Sequence, residues 1–198
     1  MEKKIWLISD THFNHDKDFI VAKRGYPSVA EMNEDIIRKW KAAISPEDEV
    51  YHLGDVFLGD DTEGMQILNS LPGRIHIIIG NHDNKNRISL FENAENVVSV
   101  KPIDWLEWEG SDVLLCHYPT PNNEQDELIR HSRKMPKYTL YGHTHQTVSF
   151  LEDFPAGLNV GVDAHHCAPI LFDDAMKELI ECRDILEQLA LEEQEEER

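Results

Sequence analysis

Five short apolar runs in this chain each end in residue types that bind metal ions, a coincidence that constrains the fold more than any other feature. Ile5 to Ser9 leads into Asp10-Thr11-His12, Val50 to Leu53 into Gly54-Asp55, and Ile75 to Ile79 into Gly80-Asn81-His82-Asp83. Val113 to Cys116 leads into His117, and Tyr138 to Tyr141 into Gly142-His143-Thr144-His145. Runs of this length, rich in β-branched and aromatic residues, read as buried strands, as do Lys4 to Ile8, Val97 to Val100 and Leu158 to Val162. Open α/β sheets place their ligands beyond the carboxyl ends of the strands.

Between several of these strands lie helical segments. Val29 to Ala43 opens on a capping box, Ser28 with Glu31, and carries Met32, Ile36 and Trp40 at every fourth position. Thr62 to Leu71 is stopped by Pro72 and Gly73, and Asp174 to about Leu191 places Met176, Leu179, Ile180, Leu186 and Leu189 on one face. Strands alternating with helices predict α/β architecture. A chain of 198 residues with 40% hydrophobic and 29% charged content fits one globular domain spanning 1–198. Its end, 192–198, has five Glu against one Arg and reads as a frayed acidic tail.

The formal net charge of −19 excludes strong non-specific binding to nucleic acid, because that affinity is carried by clustered Lys and Arg. Any anionic ligand must be attracted locally, and bound metal would do so. Three scattered cysteines, Cys116, Cys167 and Cys182, indicate neither a disulfide framework nor a thiolate zinc site. The apolar start is too short for a signal peptide and no run approaches a membrane span, so a soluble cytoplasmic protein with no membrane partner is expected.

Taken singly, each polar residue has an ordinary explanation: Asp10 as a helix cap, Asn81 or Asp83 in a turn beside Gly80, His117 as a hydrogen-bonded residue. Those explanations do not account for five strands ending alike. In Asp10-x-His12 and His143-x-His145 the side chains sit two residues apart, and in an extended segment they would share a face. Gly54, Gly80 and Gly142 each precede a candidate ligand and allow sharp turns beneath it.

In this order D-x-H, G-D, G-N-H-D, a single H and G-H-x-H resemble the motif set of the calcineurin-like metallophosphoesterase superfamily, from Asp10 to His145. The stretches Asp10 to His15, Met32 to Glu34 and Val50 to Asp55 resemble its small bacterial and phage branch. The resemblance implies two mixed β-sheets packed face to face and flanked by helices. It further implies that Asp10, His12 and His145 hold one ion, that Asn81, His117 and His143 hold a second, and that Asp55 bridges both. His82 would be a catalytic residue facing substrate. Phosphoprotein phosphatases of the superfamily extend the second motif as G-D-x-x-D-R-G, whereas Gly54-Asp55 continues here as Val56-Phe57-Leu58-Gly59-Asp60. Without that Arg and second Asp, protein phosphatase activity is disfavoured, and another residue, Asp83 being one candidate, must orient His82.

Two divalent ions against the two carboxylates Asp10 and Asp55 leave a centre of about plus two, able to hold phosphate in an acidic protein. Oxygen and imidazole ligands without thiolate suit two transition-metal ions, manganese foremost, with iron, nickel or zinc as alternatives. Ions roughly 3.5 to 4 Å apart can clamp phosphoryl oxygens and supply hydroxide for in-line attack, with His82 protonating the leaving oxygen. Asn14 and His15 are candidates for touching substrate, while His52, His76, His131, His165 and His166 read as structural. The expected activity is hydrolysis of phosphodiester or phosphomonoester bonds of a small or nucleotide-like substrate, diesters slightly favoured. A nucleotide pyrophosphohydrolase and a non-catalytic metal-binding scaffold of the same fold are the alternatives.

Overall fold

Alternate residues of the first strand, β1 (Ile5–Ile8), face two different cores: Ile5 and Leu7 one, Trp6 and Ile8 the other. A strand with both faces buried lies inside a layered molecule. The computed structural model describes residues 3–196. β1 belongs to a five-stranded sheet with β2 (Glu49–His52), β3 (Arg74–Ile78) and β4 (Val97–Lys101), all parallel, and with β9 (Ile170–Leu171) antiparallel at the edge. The second sheet has the order β5 (Ile103–Trp108), β6 (Ser111–Cys116), β7 (Tyr138–Tyr141) and β8 (Gly157–Asn159). Its β5–β6 pair is antiparallel and the rest parallel, so both sheets are mixed.

Between the sheets lies a core that includes Leu7, Leu53, Ile78, Val113, Leu115 and Leu140. The other face of the first sheet packs on α2 (Val29–Ala43), which buries Met32, Ile36 and Trp40. Leu68 of α3 (Asp61–Asn69) and Phe91 of α4 (Lys85–Glu92) extend that layer. On the far side, Leu114 and Cys116 of β6 meet Ile129 of α5 (Asn123–Ser132). A one-turn helix, α1 (Asp18–Val21), follows β1, and α6 (Phe172–Glu196) docks Phe172, Ala175, Met176 and Leu179 on the inter-sheet core. The face-to-face mixed sandwich with flanking helices is the architecture the motif resemblance implies.

Some elements depart from the sequence reading. β5 carries Asp104 and Glu107 in an edge strand, which dilutes its apolar signal; Glu109 and Gly110, both with positive φ, turn it into β6. The caps of α4 and α5, Asn84 and Asn122, accept from the first-turn amides, and Gln125 completes a capping box at α5. The run Leu158 to Val162 is strand only as far as Asn159, after which a single bridge joins Gly161 to Ser9. α6 begins at Phe172 rather than Asp174 and stays helical to Glu196; Glu197 and Arg198 lie outside the described residues. Among the described residues, no helix is long and apolar enough to cross a membrane.

Candidate metal centre

Because β1, β2 and β3 run parallel, their carboxyl ends deliver Asp10, Asp55 and Asn81 to one edge of the first sheet. β6 and β7 deliver His117 and His143 to the facing edge of the second. Backbone bonds tie these ends together: the Asp10 amide donates to Gly54 O at 3.0 Å and the Gly142 amide to His117 O at 3.0 Å. Across the seam between the sheets the His143 amide donates to Asp10 Oδ2 at 2.9 Å, which brings the two sets of strand ends together.

Local backbone geometry is unusual there. Asp10, His12, Asp55, His143 and His145 all have φ between 48° and 68°, the left-handed region. Such conformations cost non-glycine residues of order 1 to 3 kcal/mol each and persist where their surroundings over-determine them, typically at functional sites. The extended geometry expected for the two x-separated pairs is therefore corrected: Asp10 with His12, and His143 with His145, converge through left-handed turns. At Gly80 a Cβ would fall 2.3 Å from Asp55 Oδ1, and at Gly142 2.0 Å from Ser9 Oγ, so both positions need the bare backbone.

Distances within the cluster divide it in two. His12 Nε2 lies 3.1 Å from His145 Nε2 and 3.8 Å from Asp10 Oδ1, while His145 Nε2 lies 4.0 Å from the same Asp10 oxygen. Opposite them, Asn81 Oδ1 is 3.0 Å from His117 Nε2 and 2.8 Å from His143 Nδ1. Asp55 Oδ2 stands between, 3.6 Å from both His12 Nε2 and His117 Nε2. Asp10, Asp55 and His117 also present ligand atoms within 4.8 Å of one another. All seven candidate ligands are thus brought together.

Their supports fix which atoms face inward. Asp10 Oδ2 accepts from the His143 amide at 2.9 Å, and Asp55 Oδ1 from the His82 amide at 2.8 Å. His117 Nδ1 donates to Leu53 O at 2.7 Å, leaving Nε2 with its lone pair toward Asp55 and Asn81. Asp83 does not orient the His82 ring as one candidate reading had it. Its buried carboxylate accepts from the amides of Asp55, Gly80 and Val56 and so holds the turns that carry Asp55 and Asn81. The His82 ring is exposed, with its centroid 5.5 Å from that of His12 and 6.4 Å from that of His15; its carbonyl accepts from Arg87 at 3.1 Å.

The cluster fits divalent metal on its own chemistry. Asp10 Oδ1 is buried with no hydrogen-bond partner, although a carboxylate oxygen without one is costly to bury. Burial raises the Asp10 carboxyl above its usual range, opposed by the His117 and His145 imidazoles. Burial likewise holds His12 far below the imidazole range, with His145 adding to the effect, so its ring is neutral and offers a lone pair. A cation between these donors would satisfy the orphaned oxygen and the crowded nitrogens together.

A cavity of about 250 Å³ opens over the cluster, lined by His12, Asp55, Asn81, His82, His143 and His145 together with His15, Phe19 and Ile20. His15 therefore reaches the site, whereas the Asn14 side chain is tied to Asn33, accepting at 2.7 Å. His52 is buried against Thr11 Oγ1, His76 bonds Glu49 and Ser99, and His165 bonds Asn159 O, as structural residues. The sequence reading missed Arg24 and Asp163. Asp163 accepts from His145 Nδ1 at 2.9 Å and pairs with Arg24 at 2.8 Å. Neither lies in one of the five motifs; the available signal was the carboxylate of Asp163 closing the apolar run Leu158 to Val162, although the strand itself stops at Asn159.

A family model described as the calcineurin-like phosphoesterase superfamily domain matches residues 4–164, which contain every candidate ligand. The chain is 29% identical over 183 residues to the protein MJ1445 of Methanocaldococcus jannaschii, covering 88% of this chain and 90% of that one. It is 26% identical over 180 residues to the gene 66 protein of Mycobacterium phage L5, covering 80% and 86%. Among solved structures, the Aquifex aeolicus protein AQ665, of unknown function, superposes with a TM-score of 0.69 at 24% identity, over 89% of this chain and 99% of that one. It shares the fold. A match across four fifths of the chain, containing all the candidate ligands, places the protein: it belongs to the calcineurin-like phosphoesterase superfamily.

Proposed function

We propose that the protein is a dinuclear-metal-dependent phosphoesterase that hydrolyses phosphodiester or phosphomonoester bonds of small or nucleotide-like substrates. The observation that carries this reading is Asp55 Oδ2, 3.6 Å from a nitrogen of each half of the cluster, a placement from which one carboxylate could serve both. Asp10, His12 and His145 would hold one ion and Asn81, His117 and His143 the other, with manganese favoured among oxygen- and imidazole-preferring metals. When bound, such ions supply Lewis acidity to a phosphoryl oxygen and acidify water.

The chain's own residues do the rest. His82 is the one imidazole at the cavity that is exposed, is not assigned as a ligand, and has its backbone fixed by Asp55 and Arg87, so its ring can give a proton to the leaving oxygen. His15, beside it, lines the way in. With two divalent ions bound, the cavity would carry net positive charge and draw an anionic ester to a protein whose net charge of −19 repels it elsewhere.

A substrate panel tests the proposal: monoesters, linear and cyclic diesters and pyrophosphates, each with manganese, iron, nickel and zinc. The expected result is metal-dependent hydrolysis of esters, diesters ahead of monoesters and pyrophosphates behind both. Preferential cleavage of nucleotide polyphosphates would replace this reading with a pyrophosphohydrolase, and no turnover with any metal would sink the enzymatic reading.

A further inference from the structure

Both ends of the Asp10, His12 and His145 group are anchored through one buried side chain, Arg24, in the loop after α1. Its guanidinium grips Asp163 with two bonds, Nε to Oδ1 at 3.1 Å and Nη2 to Oδ2 at 2.8 Å, with side-chain exposures of 1% and 3%. The same group donates from Nη2 to Asp10 O at 2.7 Å and from Nη1 to Thr11 O at 3.1 Å. On the other side of Asp163, Oδ2 accepts from His145 Nδ1 at 2.9 Å.

We infer that Arg24 and Asp163 are positioning residues that set metal affinity at the Asp10–His12–His145 position and not at the position formed by Asn81, His117 and His143. Two physical effects converge on that position. Asp163 fixes His145 as the tautomer protonated at Nδ1 and makes the ring a stronger donor, which leaves the Nε2 lone pair facing His12 and Asp10. Arg24 holds the carbonyls of Asp10 and Thr11, in the segment whose left-handed residues need outside restraint. His117, by contrast, is anchored by the neutral carbonyl of Leu53.

The inference rests on the metal reading of the cluster and not on the reaction, so metal binding is the readout. Chelator-stripped protein is titrated with Mn²⁺ by calorimetry in the wild type, Asp163→Asn, Arg24→Lys, His145→Ala and the double variant Asp163→Asn/His145→Ala. Wild type should show two binding steps. Asp163→Asn, nearly isosteric, should weaken one by about 10- to 100-fold, the usual effect of losing an outer partner of a ligand, and leave the other unchanged. Arg24→Lys keeps the charge but loses the fork and should act on the same step. In the His145→Ala background Asp163→Asn should cost less than it does in the wild type, because its route through the ring is gone and only its hold on Arg24 remains. Equal weakening of both steps, no weakening of either, or a full additional loss in the His145→Ala background would overturn the inference. A wild type that takes up no metal would remove the metal reading itself.

Discussion

Asp55→Ala is expected to abolish both metal uptake and turnover, with a larger loss than either His12→Ala or His143→Ala at equal metal supply. His12 and His143 each belong to one half of the cluster, whereas Asp55 Oδ2 is 3.6 Å from a nitrogen in each. The substitution also removes one of two carboxylates that hold like-charged ions together, and it frees the His82 amide that now donates to Asp55 Oδ1 at 2.8 Å. The fall in activity should exceed the roughly 100-fold upper range seen for residues that merely support a ligand. Asp55→Asn, close in shape, separates charge from packing: it should keep the fold, as circular dichroism would show, and still lose metal. Full activity with full metal content in Asp55→Ala would refute the shared role.

His82→Ala should keep both metals and lose turnover selectively. A positioned general acid is typically worth about 10²- to 10⁴-fold, so hydrolysis of a substrate with a poor leaving group, such as a nucleoside hydroxyl, should fall within that range. A p-nitrophenyl ester needs little protonation and should lose less. The residue is exposed, so truncation of its ring leaves no buried void. An equal drop on both substrates with metal content intact would leave His82 an electrostatic role only.

Much of this site was legible in the sequence because strand ends are a local signal: an apolar run that stops at Gly-Asp or Gly-His shows both the element and the residue it presents. α2 was legible for the same reason, its Ser28 cap and four-residue apolar spacing lying in one short window. The missing parts were not local. Arg24 and Asp163 are 139 residues apart and meet only because the sheet edges converge. Asp83 sits inside a motif yet works through its carboxylate on three backbone amides, which residue type alone does not show. β5 was hidden because Asp104 and Glu107, three residues apart on an edge strand, place one charge on each face and break the apolar alternation of both.

The proposed centre has two adjacent ion positions that share Asp55, and metal stoichiometry tests it most directly. Protein stripped with chelator, reconstituted with manganese, nickel or zinc and freed of excess ion should contain close to two ions per chain by elemental analysis, and Asp55→Ala close to none. One ion per chain under every condition would contradict the paired centre, and none would remove the basis for metal-dependent hydrolysis.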